Sequence, residues 1–190
     1  MAEEEKKPLP IAEIVTGLIM AAIIIVFAVP RYVSHEEKGA IGDDASNLFY
    51  DLHRAKNRAL ETKTRAWVVF DTNTTYTVFL DSNNNGEADS GEVMKSGKLS
   101  TGVEFGANID PPLANVWGTA NTKQGIDLDN GSRKFYFDSK GKANPGGAVY
   151  FINQVDVGVT NNNARAVKIL GTTGEISMVK PAPGESPPWK

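Results

Sequence analysis

Ile14 to Val29, read as IVTGLIMAAIIIVFAV, carries no charged side chain, and Thr16 is its only polar one. Counted back to Leu9, the apolar stretch is broken only by Pro10 and Glu13. At about 1.5 Å of rise per residue, a helix of this length reaches roughly 30 Å, the thickness of a bilayer's hydrocarbon core. A helix apolar on every side has no face to turn to water, which makes it a poor core helix for one small domain. The segment is therefore expected to span a membrane. A cleaved secretory signal fits less well, because AEEEKK mixes both signs of charge and AVPRY stands where a small-residue cleavage site belongs. Lys6 and Lys7 precede the run while Arg31 and Lys38 follow it, so flanking charge sets no orientation.

Glu13 interrupts the apolar stretch near its N-terminal end. A carboxylate in hydrocarbon costs on the order of 3 kcal/mol unless it reaches the interface or finds a partner. Two readings stay open: an interfacial residue, or a group that pairs inside the membrane, for example with the N-terminal amine of a neighbouring subunit.

Beyond the anchor, the 190 residues leave room for one globular domain. With 41% hydrophobic and 23% charged residues the chain is not a disordered one. The net charge of −3 argues against a generally basic nucleic-acid binder. The absence of cysteine removes disulfide frameworks, thiolate metal sites and cysteine nucleophiles together.

From Tyr32 to about Thr64 the pattern predicts a helix. Ile41, Ala45, Leu48, Leu52, Ala55 and Ala59 recur at alternating spacings of four and three, one amphipathic stripe. Pro30 is expected to kink the join without ending the helix. Asp43, Asp44, Asp51, Arg54, Lys56 and Arg58 are expected on a solvated face. After Arg65 the period changes. Ala66–Phe70 and Tyr76–Leu80 read as a hairpin around DTNTT, and further strands are expected at Val103–Phe105, Lys134–Asp138, Ala148–Ile152, Ala166–Leu170 and Glu175–Val179. The Pro-rich end, KPAPGESPPWK, reads as an extended tail. The expected fold class is α+β, with a long N-terminal helix packed on a small antiparallel β-sheet domain.

The loop Asp81–Glu92, DSNNNGEADSGE, fits the twelve-residue calcium-loop pattern. Asp81, Asn83 and Asn85 would supply oxygens at alternate positions, and Gly86 would permit the sharp turn. Glu87 would offer its backbone carbonyl, Asp89 would bind directly or through water, and Glu92 would close the shell with two oxygens. The flanks are strand-like (YTVFL before, VMK after), so the loop would join strands. A solvated Asp/Asn/Gly turn is the plainer alternative.

Catalytic patterns are missing. His35 and His53, the only histidines, lie too far apart along one helix to share a metal. The sequence holds no nucleophile-elbow motif, no phosphate-binding loop with a lysine and no HExxH. Trp67, Trp117 and Trp189 read as core, interface and tail residues.

Three features together resemble the type IV pilin and pseudopilin superfamily, and within it the type II secretion H and fimbrial T family. Glu13 lies near the start of the apolar helix and Pro30 follows 17 residues later. LFYDLHRAKNRAL (Leu48–Leu60) looks like the family's amphipathic helix. FLDSNNNGEADSGE, FYFDSKGKANPGG and ILGTTGEIS look like its Asp/Asn/Gly loop, its hairpin and its closing strand. The resemblance implies a leader-like segment 1–8, a transmembrane or filament-core helix 9–30, an amphipathic helix 31–64, a β-rich domain 65–180 and a tail 181–190. It implies cutting by a prepilin peptidase between Pro8 and Leu9, followed by methylation. Proline there departs from the family's usual glycine.

What the resemblance implies for function is a structural subunit, not an enzyme. It would be a minor pseudopilin or pilin in a homo- or hetero-oligomeric filament with other pilins or pseudopilins. The subunit would meet an inner-membrane assembly platform and membrane lipid. It would sit in the bacterial inner membrane as a single-pass protein, with its globular domain in the periplasm or on an extracellular filament. Glu13 would set the stagger of packed helices. Other expectations are a major pilin of the shaft, a non-polymerising membrane-anchored calcium module, and a minor pilin of DNA uptake. The last would need basic residues at the closing strand, where Glu175 stands between Lys168 and Lys180.

Overall fold

The computed structural model describes residues 11–108, 113–122, 124–182 and 189–190, with side chains described at 15–21 and from 39 onward within those ranges. Pro8 and Leu9 lie outside the described residues, as do the side chains of Glu13, Pro30 and His35. The chain forms two compact units, Met1–Glu37 and Lys38–Lys190. One α-helix, α1 (Ile11–Thr62), contributes to both and continues through Pro30. It ends where Lys63 takes a left-handed conformation with φ of 58°, the usual backbone device for stopping a helix, here without the customary glycine.

In the second unit the stripe is the face of α1 that the domain buries. Ile41, Ala45, Leu48, Leu52, Ala55 and Ala59 are all at most 1% exposed. Spacings of three and four place these side chains on one side of the cylinder. The alanines let the strands approach closely, and each fully buried leucine or isoleucine contributes about 1.5–3 kcal/mol of transfer free energy.

Among the described residues ten strands follow, all paired antiparallel in two sheets. The first sheet contains β1 (Arg65–Val69), β2 (Thr75–Asp81), β3 (Val93–Lys98), β6 (Lys134–Phe137) and β7 (Ala143–Asn144), in the order β3-β2-β1-β6-β7. In the second, β10 (Ile176–Val179), β9 (Arg165–Ile169), β8 (Gly147–Asn153) and β4 (Val103–Phe105) run in that order, and β5 (Ile126–Leu128) also pairs with β8. Every strand expected from the sequence is present within a residue or two of its ends. Strands β5 and β7 lie outside the expected set, and β3 extends the strand-like flank VMK to Val93–Lys98.

Strand β8 is buried at all seven positions. Val149 and Phe151 join the core under α1. Ala148 and Tyr150, pointing the other way, join a second cluster with Leu113, Val116, Ala164, Ala166 and Trp189. Trp189 corrects the reading of the C-terminus as a simple extended tail. It is 4% exposed, its Nε1 donates to the Ala114 carbonyl at 2.7 Å, and Lys180 and Lys190 exchange backbone hydrogen bonds. A 5.7 Å ring contact with Tyr150 supplies the apolar anchor.

Candidate assembly helix and surface loop

In the first unit, residues 15–21 are exposed, including Val15, Leu18, Ile19 and Met20 at 48–66%. Among the described residues no helix is long and apolar enough to cross a membrane. The predicted span Ile14–Val29 falls largely outside the described side chains.

In the second unit, α1 is pinned to the strands by polar contacts that periodicity could not show. Asp44, expected in solvent, is 5% exposed and accepts from the Ser100 amide at 2.8 Å and the Ser100 hydroxyl at 3.1 Å. Burial raises its carboxyl pKa; the two Ser100 bonds pull the other way and the neighbouring Asp43 charge adds to the rise. About two turns further on, the Tyr76 hydroxyl donates to Asp51 at 2.7 Å, and burial, with that bond, pushes the phenol up. Lys56 donates to the carbonyls of Thr173 and Gly174 at 3.2 and 2.9 Å. Gly174 has φ of 59°, and a Cβ there would collide with the Gly141 carbonyl. The hairpin turn around Gly141 and the closing turn therefore meet beside Lys56.

The loop Asp81–Glu92 lies on the other face of the first sheet. Trp67 pairs with Phe79 and Arg65 with Asp81 across β1 and β2. A bulge between Val78 and Phe79 accompanies burial of both residues, one on each face. Asp81 is fully buried; its Oδ2 accepts from Trp67 Nε1 at 2.9 Å and from the Gly86 amide at 3.1 Å. Gly86, with φ of 74°, comes over the Trp67 ring, where an added Cβ would touch it at 3.5 Å. Asn83 and Asn85 both donate side-chain N–H to Asp89 Oδ2, at 2.7 and 2.8 Å. Glu92 accepts from the Ser82 amide at 2.7 Å and the Asp89 amide at 3.3 Å. Glu87 donates its amide to Asn85 Oδ1 at 2.8 Å. The structure thus gathers all six sequence-selected residues into one closed loop. Among the described residues, no three His, Cys, Asp or Glu side chains are grouped so as to hold a metal.

The remaining candidates carry little. His53 packs edge-on against Phe49 with ring centroids 4.5 Å apart, half-buried, and its Nε2 lacks a hydrogen-bond partner. Near the closing strand, Lys168 lies over the Trp117 ring at 5.5 Å, while Glu175 is exposed. Sequence reasoning missed the Trp67–Asp81 bond, although hairpin register would bring these two residues to one face.

An amphipathic helix seated on antiparallel sheets in one unit, with exposed apolar helix in the other, defines a pilin-like protein. The model of the type II transport protein GspH family matches residues 44–173, and the chain belongs to that family. No curated protein matches the chain. Among solved structures it is similar to the minor pseudopilin EpsH from the type 2 secretion system of Vibrio cholerae, with 12% identity and a TM-score of 0.52 over 77% of this chain and 99% of that one. It is likewise similar to the type IV minor pilin FimU of Pseudomonas aeruginosa, with 9% identity and a TM-score of 0.51 over 75% and 90%. At these identities the likeness is one of fold.

Proposed function

We propose that the protein is a minor pseudopilin or pilin of a type II secretion or type IV pilus-like filament, a structural subunit and not an enzyme. The observation that carries this is the exposed apolar surface at Val15, Leu18, Ile19 and Met20 in a chain of the GspH family. Apolar area of that kind gains by leaving water, in lipid before assembly and against like helices afterwards. Glu13 then sets stagger, because an unpaired carboxylate in an apolar bundle is costly and only one register pairs it. The subunit waits as a single-pass inner-membrane protein with its domain outside the cytoplasm, and its partners are other pilins or pseudopilins and the assembly platform.

A photo-crosslinker placed at Ile19 in native membranes tests this. Crosslinks to the apolar helices of other pilin-like subunits are expected, and Glu13→Ala should weaken them while leaving membrane insertion intact. Crosslinks to lipid alone would favour a non-polymerising anchored module, and equal crosslinking by Glu13→Ala would remove the register role. Mass spectrometry of the mature N-terminus decides whether processing occurs at Pro8–Leu9.

A further inference from the structure

We propose that the loop Asp81–Glu92 binds a calcium ion through Asp81, Asn83, Asn85, the Glu87 carbonyl, Asp89 and Glu92. The inference is independent of the filament reading and would hold for an anchored module as well.

The first support is the ligand spacing. Side-chain oxygens fall at positions one, three, five, nine and twelve, a backbone carbonyl at seven and glycine at six. The second support is the state of Asp81. Its carboxylate is fully buried, and Oδ1 has no hydrogen-bond partner. Oδ2 accepts from Trp67 Nε1 and from the Gly86 amide, which ties this residue to the loop. The Arg58–Glu61 salt bridge is elsewhere. Arg65, the cross-strand partner of Asp81, is placed over the Tyr136 ring at 5.0 Å. A buried carboxylate with a free oxygen and no cation is an expensive arrangement. A cation held by Oδ1 supplies the missing partner while Oδ2 keeps both of its donors.

The rest of the loop is compatible with that cation. Asn83 and Asn85 each spend one Oδ1 lone pair on a backbone amide, from Asn85 and Glu87 respectively, and keep another. Their side-chain N–H groups converge on Asp89, so three of the ligand-bearing side chains already meet at one point. Cation binding exchanges those amide–carboxylate bonds for metal–oxygen bonds. Only three carboxylates take part, and neutral oxygens complete the shell, so carboxylates alone need not cluster. An oxygen-only set favours a hard cation over zinc. Two asparagines in place of carboxylates lower the ligand charge, which places the dissociation constant on the order of 10⁻⁴–10⁻³ M. The loop joins β2 to the edge strand β3, so the ion would fasten that edge across Trp67.

Trp67 provides the readout, since its indole hydrogen-bonds the first ligand residue. The full chain in detergent, freed of metal with chelator, is titrated with terbium while tryptophan is excited. Sensitised emission is expected, displaced by calcium and not by equal magnesium. Calcium at about 100-fold above the dissociation constant should raise the melting temperature by about 5 °C or more. Asp81→Asn and Glu92→Gln should lose both responses, and Trp67→Phe should lose most of the emission. Asp89→Asn, at an exposed position, should weaken both responses and covers the case in which Asp81→Asn misfolds. No emission and no melting shift in the wild-type chain, or responses unchanged in Glu92→Gln and Asp89→Asn, would show that the loop is a turn only. Emission that persists in Trp67→Phe would place the ion elsewhere and overturn the assignment.

Discussion

Residues 15–21 and residues 41–59 of α1 are both rich in apolar side chains, yet the first set is exposed while the stripe from Ile41 to Ala59 is buried. The difference lies in arrangement. Between Ile41 and Ala59 the apolar groups recur every three or four residues, with polar groups between them, so one face fits a sheet and the other meets water. Around Leu18 they occur on every side, and one sheet cannot cover a whole cylinder. A stripe finds its cover within the chain. An all-round apolar helix needs lipid or other helices, and its apolar area is free energy held in reserve for that contact.

The largest contrast should come from truncating one leucine in each half. Leu52→Ala should cost about 2–5 kcal/mol by leaving a cavity under α1. Leu18→Ala should leave the melting temperature of the domain unchanged and show only in crosslinking or filament incorporation. Equal melting shifts for the two would mean that the contrast in burial carries no energetic weight.

Enlarging an alanine separates the halves a second way. Ala55, with no exposed area, has no room for extra methylenes, so Ala55→Leu should destabilise by about 1–3 kcal/mol. Ala21→Leu, at an exposed position, should be neutral in the same chemical denaturation series.

Tyr76→Phe probes whether polar pins add to the stripe. Its ring contacts persist and only the bond to Asp51 is lost, so a loss of about 1 kcal/mol is expected. No change in denaturation midpoint would mean that packing alone seats the helix.

Asp44→Asn should have a smaller effect that changes with pH. Burial raises the folded-state pKa of Asp44 above its unfolded value, so the ionised carboxylate destabilises the fold at neutral pH. That deficit shrinks as pH falls through the folded pKa and is gone below the unfolded one. The asparagine keeps an acceptor for the Ser100 amide and should gain at most about 1 kcal/mol at pH 7 relative to wild type. The gain should disappear in acid. A gain that grows with acidity would contradict the burial argument. Smallest of all, a chain starting at Lys38 should melt within about 0.5 kcal/mol of the full chain and retain its near-ultraviolet dichroism.

The helix stripe, the first hairpin and the order of the main strands could be read from residue periodicity, because burial of one face imposes a period of 3.6 or 2 on the sequence. So could the twelve residues of the Asp/Asn/Gly loop, because turn and ligand chemistry are local. Periodicity also marked Ile14–Val29 as a segment needing apolar cover, without naming the cover. Tertiary structure alone decided the rest. It buried Asp44 by bringing the Ser100 turn to it and docked Trp189 on Tyr150. It divided the strands between two sheets, and it set Trp67 against Asp81 so that one carboxylate oxygen lies buried and unpartnered. These contacts join residues far apart in sequence. Their energies depend on which groups share a desolvated space, and a linear pattern does not encode that.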